Sequence, residues 1–493
     1  MASPQNPRGG GGNTVVPLWI DGIEQITLST FEVISPGNNQ VCWTATSATT
    51  DDAFRAVASA QTAFPSWAET KPNARRDLLF KTADLLEART QEYAGFMQTE
   101  MGAEFGVAAF FVMPLAIQML RDIAGRISSI CGSVPVCQEV GTSAIVFKEP
   151  YGVCLGIVPW NAPFVFGIRS AATALATGNT TILKASELTP RSYWAIGKAF
   201  HDAGLPAGVL NIISCRPMDA AEVTNVMIEH PAVKHINFTG SANVGRKVAR
   251  ACGQNLKPCL MELGGKNSTI VLGDANIEKA VGACIAGSFL NSGQICMATD
   301  RIIIHSEIAP IFLGALKSAL SSPAAGNEGP PPLPIVVSSA AKTRLESIVD
   351  DAISSGAQVL VGKQSNPQKI PSGGGVWFTP TVLGSIKENS HFWTEEAFGP
   401  VVGYTIVNSQ EEAIEIANRT SYGLSAAVFT EDLRQGLAVA KKLQSGAVHI
   451  NSMTIHDEPN LPFGGVKNSG WGRFNASSGI EEFLVTKTVT WND

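Results

Sequence analysis

The sequence predicts an α/β fold built on parallel sheets, and three observations predict it. From Tyr151 onward, short apolar runs alternate with longer helix-like segments in a βαβαβ rhythm. A second series of alternating helices and strands follows, from about Met261 to Pro462. The chain has 493 residues, 45% of them hydrophobic and 16% charged, which is too long for one core and too apolar for a disordered chain. Two or three structural units are therefore expected.

Residues 1–13 are polar, rich in Gly and Pro, and hold a single Arg without an apolar stretch. They read as a disordered tail rather than a targeting signal. Asp52 to Ala68 and Ala74 to Phe96 place apolar residues three or four apart, which predicts two helices, the first with Asp51 as N-cap. Then come a strand at Gly152 to Val158, a helix at Ile168 to Ala176 and a strand at Thr180 to Leu183. A helix at Ser192 to Ala203, a strand at Val209 to Ile213 and a helix at Ala220 to Ile228 continue the series. A strand at Val233 to Phe238 and a helix at Val244 to Cys252 complete it. The second series offers helices at Ile277 to Leu290 and Leu345 to Ile353 and strands at Arg301 to His305 and Gln358 to Val361. Ser322 to Pro334, rich in Pro, Gly and Ser, reads as a surface loop. No uninterrupted apolar run is long enough to cross a bilayer.

Charge and cysteine usage narrow the function classes. The net charge of −6 and the lack of a basic, aromatic-rich stretch speak against nucleic acid. Nine irregularly spaced Cys without CxxC pairs argue against a disulfide framework or a zinc site, so no metal is expected and a reducing cytoplasm fits.

Parallel sheets bind ligands beyond the carboxyl ends of their strands, so the chemistry is sought in those loops. Val158-Pro159-Trp160-Asn161-Ala162-Pro163 restrains Asn161 between two prolines, and a fixed amide can donate to an oxyanion; the segment also reads as a rigid turn. Lys184 and Glu187 at the next strand end could bind ribose hydroxyls or form a solvated ion pair. Gly240-Ser241 opens a helix whose free N–H groups suit a pyrophosphate, although the spacing is not GxGxxG. Glu262 precedes two glycines and could act as a general base or sit on the surface. Cys296, in a Gly-containing loop, is a candidate nucleophile, whereas Cys154 and Cys284 lie in apolar contexts and read as small buried hydrophobes.

Taken in order, VPWNAP (158–163), LKASELTP (183–190), FTGSANVG (238–245), MELGGKN (261–267), GQICM (293–297), EEAFGPV (395–401), the Asn418 to Leu424 segment with its YGL, and PFGGVKNSGWGR (462–473) resemble the aldehyde dehydrogenase superfamily. The resemblance runs from about residue 17 to the C-terminus. It implies Cys296 as nucleophile, Glu262 as general base and Asn161 as the oxyanion-hole side chain. For the cofactor it implies Trp160, Lys184, Glu187, Gly240, Ser241, Leu263, Glu396 and Phe398, with NAD preferred over NADP because Glu187 repels a 2′-phosphate. The implied fold has a Rossmann-like NAD-binding domain (14–127 and 149–261), a catalytic domain (262–470) and a β oligomerisation flap (128–148 and 471–493). A homodimer or homotetramer is expected.

Thr454 to Pro459 and GQICM resemble the branch acting on salicylaldehyde, vanillin and benzaldehyde, which implies an aromatic aldehyde; an aliphatic aldehyde or a semialdehyde is the alternative. Met101, Phe105, Met297 and Phe463 are candidates to line an apolar tunnel. The sequence departs from the family pattern in the Pro-rich stretch 323–334, at Asn475 and Ala476 where glycines are common, and at Trp471 where Tyr is frequent. A CoA-acylating enzyme, a thiol hydrolase and a non-catalytic binding protein are the competing readings. The joint presence of Glu262, Cys296 and Asn161 opposes the first and third.

Overall fold

The computed structural model describes residues 15–321, 334–362, 374–388 and 390–492. The expected N-terminal tail and nearly all of the Pro-rich loop lie outside the described residues.

Two large sheets organise the chain. The first has eight strands, with five parallel ones at its centre, in the order Cys259–Leu263, Val233–Gly240, Val153–Ile157, Thr180–Lys184 and Leu210–Ile213. Short antiparallel strands close it, Gly470–Trp471 on one side and Leu18–Ile20 with Ile23–Gln25 on the other. Chain order reverses at Val153–Ile157, which pairs with Thr180–Lys184 on one side and Val233–Gly240 on the other. That is a topological switch point, where the loops beyond the strand ends diverge and leave a crevice. The second sheet has seven strands, all parallel except the edge strand Gln358–Val361. Asn267–Val271 and Thr299–His305 lie side by side within it.

The central strands are buried along their length, as sheets covered on both faces require. The helix Pro163–Ala176 is buried at every position, so it has no solvent-facing side. It starts at Pro163, five residues before the expected Ile168, because proline is favourable at a first helical position. The helix Thr50–Ala68 is capped by Thr49 rather than the expected Asp51. Thr49 and Asp52 form a capping box, with the Thr49 N–H donating to Asp52 Oδ2 at 2.9 Å. The single helix expected from Ala74 to Phe96 is two, Pro72–Ala88 and Thr90–Met101. They break at Arg89 (φ −110°, ψ 14°), whose guanidinium reaches Asp202 at 2.7 Å.

The helical run Phe105–Ser129 is long and apolar enough to cross a bilayer by length and composition, although Gln118, Arg121 and Asp122 interrupt it. More than half of it is buried inside the protein, where it packs on Pro72–Ala88 and Pro163–Ala176. Elsewhere Thr142–Pro150 and Leu484–Asn492 form an antiparallel ribbon of their own, in register from Thr142 opposite Asn492 to Pro150 opposite Leu484. Eight of the nine residues of the C-terminal strand are exposed.

Candidate active site

At the switch point a cleft of about 830 Å³ opens between the two sheets. Trp160, Asn161, Gly240, Ser241, Glu262, Cys296, Glu396 and Phe398 all line it, eight of the eleven residues expected there. A smaller cavity of about 50 Å³, almost wholly apolar, lies beyond; Asn161, Phe166 and Cys296 line both spaces. Cys296 thus sits where a wide cleft of mixed lining meets an apolar tunnel.

The Cys296 loop owes its shape to an unusual backbone. After the helix Ile277–Phe289, residues Asn291, Ser292 and Gly293 are all left-handed, with φ of 50°, 58° and 68°. Asn and Gly tolerate that region; Ser does so less readily. A Cβ on Gly293 would stand 2.2 Å from the Gly399 carbonyl oxygen, so the turn needs glycine for space as well. Asn267 splints the backbone from Cys296 to Ala298. Its Nδ2 donates to the carbonyls of Cys296 (2.8 Å) and Ala298 (2.9 Å), and its Oδ1 accepts the Ser425 N–H (3.0 Å). Gln294, also buried, accepts the Val337 N–H at 2.8 Å.

Asn161 is locked to this loop. Its Nδ2 donates to the Gln294 carbonyl at 3.0 Å and its own carbonyl accepts from Asn291 Nδ2 at 3.2 Å. An amide has two N–H donors, so the second remains for a ligand oxygen beside Cys296. Behind Asn161, the buried Tyr193 donates its hydroxyl to the Pro159 carbonyl at 2.5 Å and fixes the other end of the turn.

Glu262, at the end of its strand, is 1% exposed and neither carboxylate oxygen has a partner in good hydrogen-bond geometry. Burial pushes its carboxyl up to about 7, while the nearby Cys296 thiol, the Arg169 guanidinium and the Thr239 hydroxyl hold it from going further. Burial also pushes the Cys296 thiol well up, and the neighbouring Glu262 adds to the effect. At neutral pH the pair is poised to share one proton rather than to carry two charges.

The remaining cleft residues suit a dinucleotide. Ser241 caps the helix Ala242–Gln254, whose N-terminus faces the cleft with Arg246 beside it, a favourable place for phosphate. A Cβ on Gly240 would meet the Phe238 ring at 2.7 Å. On the far wall Glu396 accepts the Gly265 N–H at 3.1 Å, and burial together with the Asp300 carboxylate raises its carboxyl. Asp300, paired with Lys266 at 3.1 Å, also accepts the Ala397 N–H at 3.2 Å, holding the turn between Glu396 and Phe398. Phe398 meets Trp160 edge-on, ring centres 5.6 Å apart.

Three expected cofactor residues stand outside this lining. Lys184 and Glu187 lie at the end of the adjacent strand, Lys184 buried and Glu187 half-buried. The Leu263 side chain is in the core, under the cofactor-facing helix: a Cβ on Gly245 would touch it at 2.5 Å. Any contact from Leu263 would come through its backbone. Of the four tunnel candidates, Met297 and Phe463 line the apolar cavity, while Met101 and Phe105 pack in or against the core instead. Val107, Phe111 and Leu115 line it in their place, from a helical run whose second turn widens to a π-helix at Ala108–Val112.

Comparison with known proteins agrees with this geometry. The model of the "Aldehyde dehydrogenase family" matches residues 23–489. A vanillin dehydrogenase of Pseudomonas fluorescens is 41% identical over 94% of each chain. A solved salicylaldehyde dehydrogenase from Pseudomonas putida G7, complexed with salicylaldehyde, superposes with a TM-score of 0.92 at 34% identity over 98% of this chain and 99% of that one. A betaine aldehyde dehydrogenase from Staphylococcus aureus, in complex with NAD+, gives 0.91 at 30% identity over 97% and 95%. With Cys296, Glu262 and Asn161 brought together from distant loops and nearly its whole length matched, the chain belongs to the aldehyde dehydrogenase family.

Proposed function

We propose that this protein oxidises an aromatic aldehyde to the carboxylic acid with a nicotinamide dinucleotide, NAD in preference to NADP. The observation that carries the reading is the position of Cys296 at the junction of a dinucleotide-sized cleft of mixed polar and apolar lining and a narrow apolar tunnel, with Glu262 and Asn161 beside it. The vanillin and salicylaldehyde dehydrogenases among its relatives support an aromatic substrate.

The chemistry follows from the residues. Glu262, near neutral, accepts the Cys296 proton, and the sulfur bonds to the aldehyde carbon. The carbonyl electron pair moves onto oxygen, where the second Asn161 N–H stabilises it. A nicotinamide dinucleotide in the cleft supplies the acceptor for the hydride that leaves carbon. Glu262 then passes the Cys296 proton to solvent, so it is free to take a second one from the water that attacks the resulting thioester on Cys296; the C–S bond breaks, the acid departs and the thiolate is restored. Both proton transfers need a base of about the strength burial gives Glu262.

Glu187 supports the NAD preference, since a carboxylate accepts bonds from a ribose diol and repels a 2′-phosphate. The exposed C-terminal strand Leu484–Asn492 supports a homodimer or homotetramer, because among the described residues it pairs with Thr142–Pro150 on one side and leaves its other edge open. Nine free thiols favour a reducing cytoplasm. The test is NADH absorbance with NAD and benzaldehyde, salicylaldehyde, vanillin, hexanal and succinic semialdehyde, without CoA. Aromatic turnover that vanishes in Cys296→Ala is expected. Turnover favouring hexanal or the semialdehyde refutes the aromatic assignment but not the mechanism.

A further inference from the structure

The tunnel beyond Cys296 presents a single charged side chain, and its sign constrains what can enter. Val107, Phe111, Val165, Ile455 and Phe463 supply much of the wall; among the described residues no Lys, Arg or His lines it, and Asp457 does. Asp457 is 5% exposed at its side chain and cannot swing away. Its Oδ2 is paired with Arg169 and its Oδ1 accepts from Asn475 Nδ2 at 2.8 Å. Arg169 lies behind the wall, 1% exposed, with its guanidinium carbon 4.6 Å from the Phe463 ring centre and 5.6 Å from that of Phe166. Those two rings line the cavity, so the ion pair shows the tunnel its carboxylate end.

An anionic substituent entering this space meets two obstacles. It loses its water among apolar side chains with no cation to replace it. It is also repelled by Asp457 where water is scarce and screening is weak. A neutral aromatic aldehyde meets neither, and the positive edge of its ring suits a carboxylate neighbour.

We propose that Asp457 is a specificity-determining residue that restricts the tunnel to aldehydes without a negatively charged substituent. The proposal rests on the aromatic-aldehyde reading above and adds a filter on charge, distinct from size.

The test compares kcat/KM for benzaldehyde, 4-formylbenzamide and 4-formylbenzoate with saturating NAD at pH 8. The amide and the carboxylate are planar and nearly equal in size, and differ in charge. Wild type is expected to prefer the amide at least about tenfold, equivalent to about 1.4 kcal/mol. Asp457→Asn leaves the Arg169 charge unopposed behind the wall, so the preference should fall at least about tenfold, mainly through KM for the carboxylate. The double variant Arg169→Gln/Asp457→Asn replaces the ion pair by neutral partners and guards against misfolding; its preference should fall by less. Folding of each is checked by circular dichroism and NAD binding. Equal use of amide and carboxylate by wild type, or a folded variant with the wild-type ratio, overturns the proposal. Failure of wild type on benzaldehyde and the amide as well overturns the aromatic reading beneath it instead.

Discussion

Replacing Glu262 with Gln should make the protein more stable at alkaline pH while abolishing thioester hydrolysis. The fold holds this carboxyl at about 7 against an ordinary 4.5, chiefly by burial, with no good donor at either oxygen. Between those values the folded chain binds more protons than the unfolded one, so stability falls as pH rises. The stabilising neutral form is fully present below about 4.5 and is lost as pH passes 7. At 1.36 kcal/mol per unit, the burden on wild type above pH 7 approaches about 3 kcal/mol. Gln carries no such burden, apart from a pH-independent offset for its own buried amide. The assay is differential scanning fluorimetry of both proteins from pH 5 to 8.5 at one scan rate. The Tm of Glu262→Gln minus that of wild type should climb by about 5 °C or more across that range, since units of 150–250 residues shift by about 2–4 °C per kcal/mol. A flat difference would show that the carboxylate is solvated or bonded in the fold and that its role as a neutral-range base is wrongly argued.

Wild-type hydrolysis of the thioester should rise with pH through about 7, because the ionised form of Glu262 is the base; a pH-independent kcat between 6 and 8, with hydrolysis rate-limiting, contradicts this. Asn161→Ala should lower kcat by about a hundredfold to a thousandfold, the usual effect of losing one oxyanion donor, and unchanged turnover would remove Asn161 from the mechanism. Asn267→Ala strips partners from the Cys296 and Ala298 carbonyls and the Ser425 N–H, each worth about 1–3 kcal/mol when buried; Tm should fall and the rate of Cys296 alkylation by iodoacetamide should change, whereas a silent variant argues against the splint. Glu187→Gln should improve kcat/KM for NADP relative to NAD, and an unaltered ratio would assign the discrimination to other residues.

Much of the fold and site was legible in the sequence, for identifiable reasons. Strands such as Thr180–Lys184 and Leu210–Ile213 read correctly because buried parallel strands are short continuous apolar runs between turn residues. The helix Pro163–Ala176 was clipped at its start because its first turn, Pro163 to Phe166, is a continuous apolar run with no polar face to mark a helix. The break at Arg89 was illegible because no Gly or Pro marks it and its partner Asp202 is 113 residues away. Site residues stood out where chemistry demanded an odd residue near a turn, as at Asn161, Glu262 and Cys296. Asn267 was visible in its motif but its role was not, because hydrogen bonds to Cys296 and Ser425 exist only once the second sheet has formed. Asp457 likewise acquires its meaning from Arg169, 288 residues earlier.

The site depends on a seam between two sheets, and the seam explains why so few residues can set its geometry. Glu262 lies in a strand of the first sheet, and Asn267 starts a strand of the second only five residues later. Two glycines make that crossing. A Cβ on Gly264 would lie 2.3 Å from a Glu396 carboxylate oxygen, and one on Gly265 would lie 2.6 Å from the Cys296 carbonyl. The backbone can therefore pass between the Cys296 loop and the Glu396 wall of the cleft only where side chains are missing. The Ser469 hydroxyl ties the Gly264 carbonyl at 2.7 Å, so the crossing is narrow and also fixed. Glu262 on one sheet and the Cys296 loop, bonded to Asn267 on the other, are thus joined by a short segment with little room to vary, so a bulkier residue at Gly264 or Gly265 would disturb both together.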